Sequence, residues 1–112
     1  MKIVKLDRLL IADSFAKRFF GYMFKKKPEC REAILFRSCN SIHTFNMRFS
    51  IDVLFLDASN RVVKKMTDVP SGKVIPPVKG ATQVVEGVSG LFKDVMESEI
   101  VTFDALLNTR KT

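Results

Sequence analysis

The chain predicts a mainly β fold, of sandwich, jelly-roll or small-barrel type, with one or two short helices. Three observations lead there. Apolar segments are short and closely spaced, and Gly, Pro, Asn, Asp and Ser stand between them, as in strands joined by tight connections. From His43 to Val53 the residues alternate without a break. His43, Phe45, Met47, Phe49, Ile51 and Val53 fall on one side of an extended chain, and Thr44, Asn46, Arg48, Ser50 and Asp52 on the other. Finally, 112 residues with 46% hydrophobic content and ten Phe suit one packed domain over residues 1–112, without the composition of a disordered chain.

Taken in order, residues 2–6 suit a short strand, and Leu9, Leu10 and Ile11 continue the apolar character. Asp13 and Ser14 have the side-chain oxygens that cap a helix, and Phe15, Phe19 and Tyr22 recur near helical spacing. A helix over 14–20 is expected, stopping at Gly21. Lys25-Lys26-Lys27-Pro28 reads as a solvated loop, since like charges repel and gain nothing from burial. Residues 33–36 form a buried strand candidate.

The central stretch is too long for one strand, whose usual length is about five to six residues. A corner near Phe49-Ser50 is therefore expected between strands over 41–48 and 51–57. Asp57-Ala58-Ser59-Asn60 is a turn, because Asp starts one well and Asn tolerates a left-handed backbone at its end. Residues 61–66 return as the second arm of a hairpin. Pro70, Gly72, Pro76, Pro77 and Gly80 make 67–80 the longest irregular connection, with a short strand at 73–75. A strand over 82–86 follows. Gly87 and Gly90 then mark a turn, with a helical turn at Leu91-Phe92. A last strand spans 100–103, and 108–112 reads as a frayed tail.

The formal net charge is +7 and the isoelectric point is near 9.7, a balance that favours anionic partners. Cations gather toward the N-terminal third, while Glu86, Asp94, Glu97, Glu99 and Asp104 weight the other end. No aromatic residue interleaves with the lysine run as a base-stacking platform requires, so nucleic-acid binding is the weaker reading of the charge. Two cysteines, Cys30 and Cys39, do not make a disulfide framework. No charge-free apolar run reaches the roughly 20 residues of a membrane span. Lys5, Asp7 and Arg8 interrupt any signal peptide, so a cytoplasmic location with reduced thiols is expected.

Several stretches together resemble one family. They are Arg18-Phe19-Phe20-Gly21-Tyr22-Met23, Ala33-Ile34-Leu35-Phe36, the long run from Cys39 to Asp57, Arg61-Val62-Val63, and Val84-Val85-Glu86-Gly87-Val88-Ser89-Gly90. In this order and over nearly the whole chain they resemble the DUF192 family. Tyr22 stands where that family usually has Leu, Ser50 where it often has Pro, and Met96-Glu97-Ser98-Glu99 where it usually has Gly-Asp. The resemblance implies a compact, mainly β fold of sandwich or jelly-roll type. It implies no established activity, so a site has to be argued from the residues themselves.

His43 is the only histidine. On the apolar side of the ribbon it reads first as a core residue satisfied by hydrogen bonds, and second as a ligand contact. Cys39 and His43 are four apart, about 13 Å along a straight strand at ~3.3 Å per residue, so joint action needs a bend. Neither a Cys-x-x-Cys nor a His-x-x-x-His pair occurs, and no metal is assigned. Arg48 and Asp52 can tie the local fold, through charge-assisted bonds and accepted backbone N–H groups. Alternatively, Thr44, Asn46, Arg48 and Asp52, with His43, form the polar floor of a binding groove. That row has no activated nucleophile and no second base, so no catalytic residue or cofactor is assigned. The expected partner is a small molecule, a saccharide or a protein, and the exposed edges of a small sheet leave room for a homodimer. The competing reading is a hydrolase or transferase that uses His43 with Cys39 or Asp52.

Overall fold

A computed structural model describes residues 1–12 and 21–110. The strands are β1 (Lys2–Ala12), β2 (Glu32–Arg37), β3 (Ile42–His43), β4 (Ile51–Leu56), β5 (Val62–Val69), β6 (Val74–Ile75), β7 (Gln83–Val88) and β8 (Val101–Arg110). Six of them form a mixed sheet in the order β5-β4-β7-β2-β1-β8, and β3 pairs with β6 as a separate two-stranded ribbon. β1 runs parallel to both β2 and β8, whereas β2–β7, β7–β4 and β4–β5 are antiparallel. The fold is thus mainly β, as the sequence predicts. The sheet does not close into a barrel. It coils until its two edges meet at one corner, where Arg61 bridges Ile100 and Val101 N–H donates to Asn60 O at 2.9 Å.

Both faces of the sheet are covered. On one face Ile34, Phe36, Ile51, Val53, Phe55 and Val84 meet Tyr22, Met47 and Ile75 from the overlying loops and ribbon. On the other, Val4, Leu6, Leu9, Leu54, Leu56 and Val85 enclose Phe92 and Val95. β4 feeds both cores, so every one of its residues is buried. That explains an apolar run where one-sided alternation had been the guide. β1 serves both faces through a bulge: the N–H groups of Asp7 and Arg8 both donate to Arg31 O, at 2.8 and 3.2 Å.

Several expectations are corrected. The strand expected over 41–48 shrinks to Ile42–His43. Asn46 takes φ 58°, which turns the chain and ends the alternation. Consequently Thr44 is fully buried and Phe45 exposed, the reverse of the two-sided ribbon. The expected tail at 108–112 is paired as far as Arg110, with Asn108 opposite Leu9 and Arg110 opposite Ile11. Leu91-Phe92 lies in a chain of turns, Leu91 N–H to Val88 O, Lys93 N–H to Gly90 O and Val95 N–H to Phe92 O, and no helix occurs among the described residues. The helix expected over 14–20 lies outside them.

The connections follow their sequence signals. Asp57 Oδ1 accepts the N–H groups of Ser59 and Arg61 at 2.9 and 3.0 Å, and Asn60 closes the turn at φ 65°. β4 and β5 form the expected hairpin.

Candidate functional site

Where β2 ends, Ser38 takes φ 53° and swings the chain out of the sheet toward the β3–β6 ribbon. The ribbon stands off from the sheet and leaves a cleft of about 450 Å³. Phe36, Met47 and Ile75 give it a buried apolar floor. Ser38, Cys39, Asn40, Ser41 and His43 bring hydroxyls, a thiol, an amide and an imidazole to its wall, and Val74, Pro76 and Pro77 form the opposite side. An apolar cavity of this size with a few converging polar groups is the usual form of a small-ligand site.

Glu86 of β7 also lines the cleft, and it is 2% exposed. A side chain at Gly21 would place its Cβ 3.2 Å from both Glu86 Oε1 and Phe36 Cζ, and Gly21 has φ 46°. Both facts favour glycine at that point, since a side chain there would sit on a left-handed backbone and press on its neighbours. The sequence reading took Glu86 for an ordinary strand residue. The available signal was a carboxylate between Val84-Val85 and Gly87-Val88, because a charge in a buried strand is costly to bury without partners.

The structure divides the residues proposed from sequence. His43 lines the cleft, its Nδ1 accepts the Phe45 N–H at 3.2 Å, and its ring stacks on Phe45 with centroids 5.1 Å apart. That bond assigns Nδ1 as an acceptor. Thr44 works behind the wall. Its hydroxyl donates to Pro70 O at 2.7 Å and accepts Lys73 N–H at 2.9 Å, while its carbonyl accepts from Gly72 N–H and the Ser71 hydroxyl. Thr44 therefore fastens the 70–73 loop to the ribbon. Asn46 and Arg48 are exposed on the turn that follows.

Asp52 lies in β4, 2% exposed. Its two oxygens accept the backbone N–H groups of Asp68 and Gly90, each at 2.9 Å. Cys39 joins His43 in the same cleft because the bend at Ser38 and the shortness of β3 remove the straight-strand separation. The Cys39 thiol donates to Ser41 O at 3.1 Å. Among the described residues, no three His, Cys, Asp or Glu side chains stand together as metal ligands, and no helix is long and apolar enough to cross a membrane.

A second polar cluster was not foreseen. The Glu32 carboxylate at the start of β2 accepts Arg8 Nε at 2.6 Å and the Tyr22 hydroxyl at 3.1 Å. Burial, and then the neighbouring Glu32 charge, raise the Tyr22 pKa far above the ordinary tyrosine range. The hydrogen bond and charge of Glu32 likewise raise that of Arg8.

A coiled mixed sheet with a two-stranded ribbon over one face, and a ligand-sized cleft beneath it, defines a small mainly β protein. The chain belongs to the DUF192 family, described as Uncharacterized ACR, which matches residues 3–99. It is similar to the UPF0127 protein of Pyrococcus horikoshii, 44% identical over 91 residues, or 76% of each chain. It is also similar to the UPF0127 protein of Pyrococcus abyssi, 40% identical over 103 residues, covering 88% of this chain and 86% of that one. The crystal structure of a protein of unknown function from Novosphingobium aromaticivorans shares the fold. It has a TM-score of 0.68 at 18% identity, over 77% of this chain and 66% of that one.

Proposed function

We propose that the chain is a small non-enzymatic binding module that receives a small molecule, a saccharide or a protein segment in the cleft under the β3–β6 ribbon. The observation that carries this reading is the cleft itself, with a floor of Phe36, Met47 and Ile75 beneath a polar wall that includes His43. The floor removes apolar ligand surface from water, and the wall fixes orientation. Thr44 holds the ribbon in place, and Asn46 and Arg48, exposed on the adjoining turn, extend the surface that a larger ligand meets. Asp52 does not line the cleft; its two backbone contacts fix Asp68 and Gly90 to β4.

Val74 lines the cleft yet is 64% exposed, so it can be changed with little effect on the core. A fragment library screened by amide chemical shifts should perturb residues 38–43 and 74–75. Val74→Arg should abolish those responses and leave the Tm unchanged. Fragments that bind Val74→Arg as well as the parent chain would sink the assignment.

The hydrolase or transferase reading draws support from one observation, the presence of Cys39 and His43 on one wall. Iodoacetamide separates the two readings in a Cys30→Ser background. Slow alkylation of Cys39, at the rate of a half-buried ordinary thiol, supports a binding module, and fast alkylation that His43→Ala slows supports the enzyme.

A further inference from the structure

The lysine run read from sequence as a solvated loop lines a second cavity, of about 550 Å³. Among the described residues Gly21 is the one that lines both this cavity and the cleft. Leu10 of β1, Ile34 of β2 and Leu107 of β8 give it apolar surface, and Arg8, Lys25, Lys26 and Lys27 give it charge. Among the described residues Glu32 is the one carboxylate in the lining, and it is engaged by Arg8 Nε at 2.6 Å and by the Tyr22 hydroxyl at 3.1 Å. Among the described residues of the lining, four cations against one anion leave a formal excess of three positive charges.

The run is anchored. Lys25 N–H donates to Tyr22 O at 3.0 Å, and Phe24, at φ 63°, donates its N–H to Asn46 O at 2.9 Å. The backbone that carries the lysines is thereby tied at two points to buried or turn-forming residues, and this lowers the ordering cost of binding.

We propose that this cavity is a second ligand site, which takes a phosphate monoester carried on an apolar body. A phosphate monoester carries close to two negative charges near neutral pH and offers three acceptor oxygens, which suits several ammonium groups at one mouth. A carboxylate carries one charge and leaves more of the cationic excess unbalanced. The apolar surface formed by Leu10, Ile34 and Leu107 accounts for the organic part of the ester, which inorganic phosphate lacks.

Calorimetric titration at low salt with phenyl phosphate, inorganic phosphate and benzoate tests the proposal. Phenyl phosphate should bind at least about tenfold more tightly than either of the others. Joint substitution of the exposed lysines by K25E, K26E and K27E should remove that binding while the Tm holds. Leu107→Asn, which removes apolar surface without adding charge, should weaken phenyl phosphate but not inorganic phosphate, and Val74→Arg, in the other cleft, should change neither. Equal affinity for inorganic phosphate or benzoate would overturn the proposal, as would a triple variant that binds like the parent. Displacement of phenyl phosphate by a short oligonucleotide that binds more tightly and with a steep salt dependence would also overturn it, by making the lysines a nucleic-acid surface.

Discussion

Asp52 illustrates how much one buried side chain can organise. Its Oδ1 holds the N–H of Asp68, a residue at φ 53° in the irregular end of β5, and its Oδ2 holds the N–H of Gly90, at φ 91° in the turn after β7. Two segments distant in sequence are thus fixed to β4, and Ser89 adds a hydroxyl bond to Asp68 Oδ1 at 2.8 Å. Hydrogen bonds to a charged group contribute about 1.5–3 kcal/mol each, so Asp52→Ala, which removes two, should cost about 3–6 kcal/mol in urea denaturation. Asp52→Asn keeps one acceptor oxygen and should recover about half of that loss. Tyr22 offers a pH test, since it is the only tyrosine. Its folded pKa is raised, first by burial and then by Glu32. Below about pH 10 the phenol is neutral in both states, and the full contribution to stability is present. Above that the unfolded chain loses the proton while the native chain keeps it, so stability falls as pH rises. Phenolate absorbance should therefore appear only as the protein unfolds, and Tyr22→Phe should flatten this part of the stability profile. Phenolate absorbance that rises near the ordinary tyrosine pKa with the fold intact would contradict the buried environment.

At the scale of elements, β7 owes its close cover to glycine. A Cβ at Gly87 would fall 2.4 Å from Leu91 Cδ2 and 3.1 Å from Phe92 Cζ. Leu91 is partly exposed and can shift, but the Phe92 ring is fully buried and packs edge-on to Phe103 at 6.3 Å. Gly87→Ala should thus destabilise by about 1–3 kcal/mol, the range for overpacking, with the shortfall visible as a lower urea midpoint at unchanged m-value. The ribbon depends on an element without regular structure. The loop between β5 and β6 is bound through Thr44, while Val78 N–H donates to Asn40 O at 2.9 Å and Cys39 N–H to Thr82 O at 3.0 Å. These bonds, more than the two-residue strands themselves, hold the cleft open at its observed size.

Across the whole molecule the two sheet edges differ. The β5 edge is covered: Lys65 N–H donates to Glu97 Oε2 at 2.9 Å, and Lys65 Nζ donates to Phe92 O and Val95 O at 2.7 Å each. Among the described residues β8 has no strand neighbour beyond β1 along most of its length, and Leu106 on it is 88% exposed. A long open edge with an exposed apolar residue is a site for strand addition. Sedimentation equilibrium should show concentration-dependent dimerisation that Leu106→Lys removes without a change in Tm. A parent chain that stays monomeric at millimolar concentration would rule out this use of the edge.

The sequence by itself determined the β class, the Asp57–Asn60 turn and its hairpin, and the positions of most strands. Those features rest on local rules, the preference of Asp and Asn for turn geometry and the grouping of apolar residues between breakers. Only the tertiary structure decided the site. Alternation from His43 to Val53 suggested one ribbon, but Thr44 satisfied its hydroxyl on a loop that lies 26 to 29 residues later, and Asn46 reversed the backbone. The bend at Ser38 and the short β3 put Cys39 and His43 on one wall of a cleft that Glu86 of β7 also lines, and packing on both faces buried the whole of β4. Hydrophobic period reports which residues seek a core, but it carries no information on which distant backbone groups will take up a polar side chain.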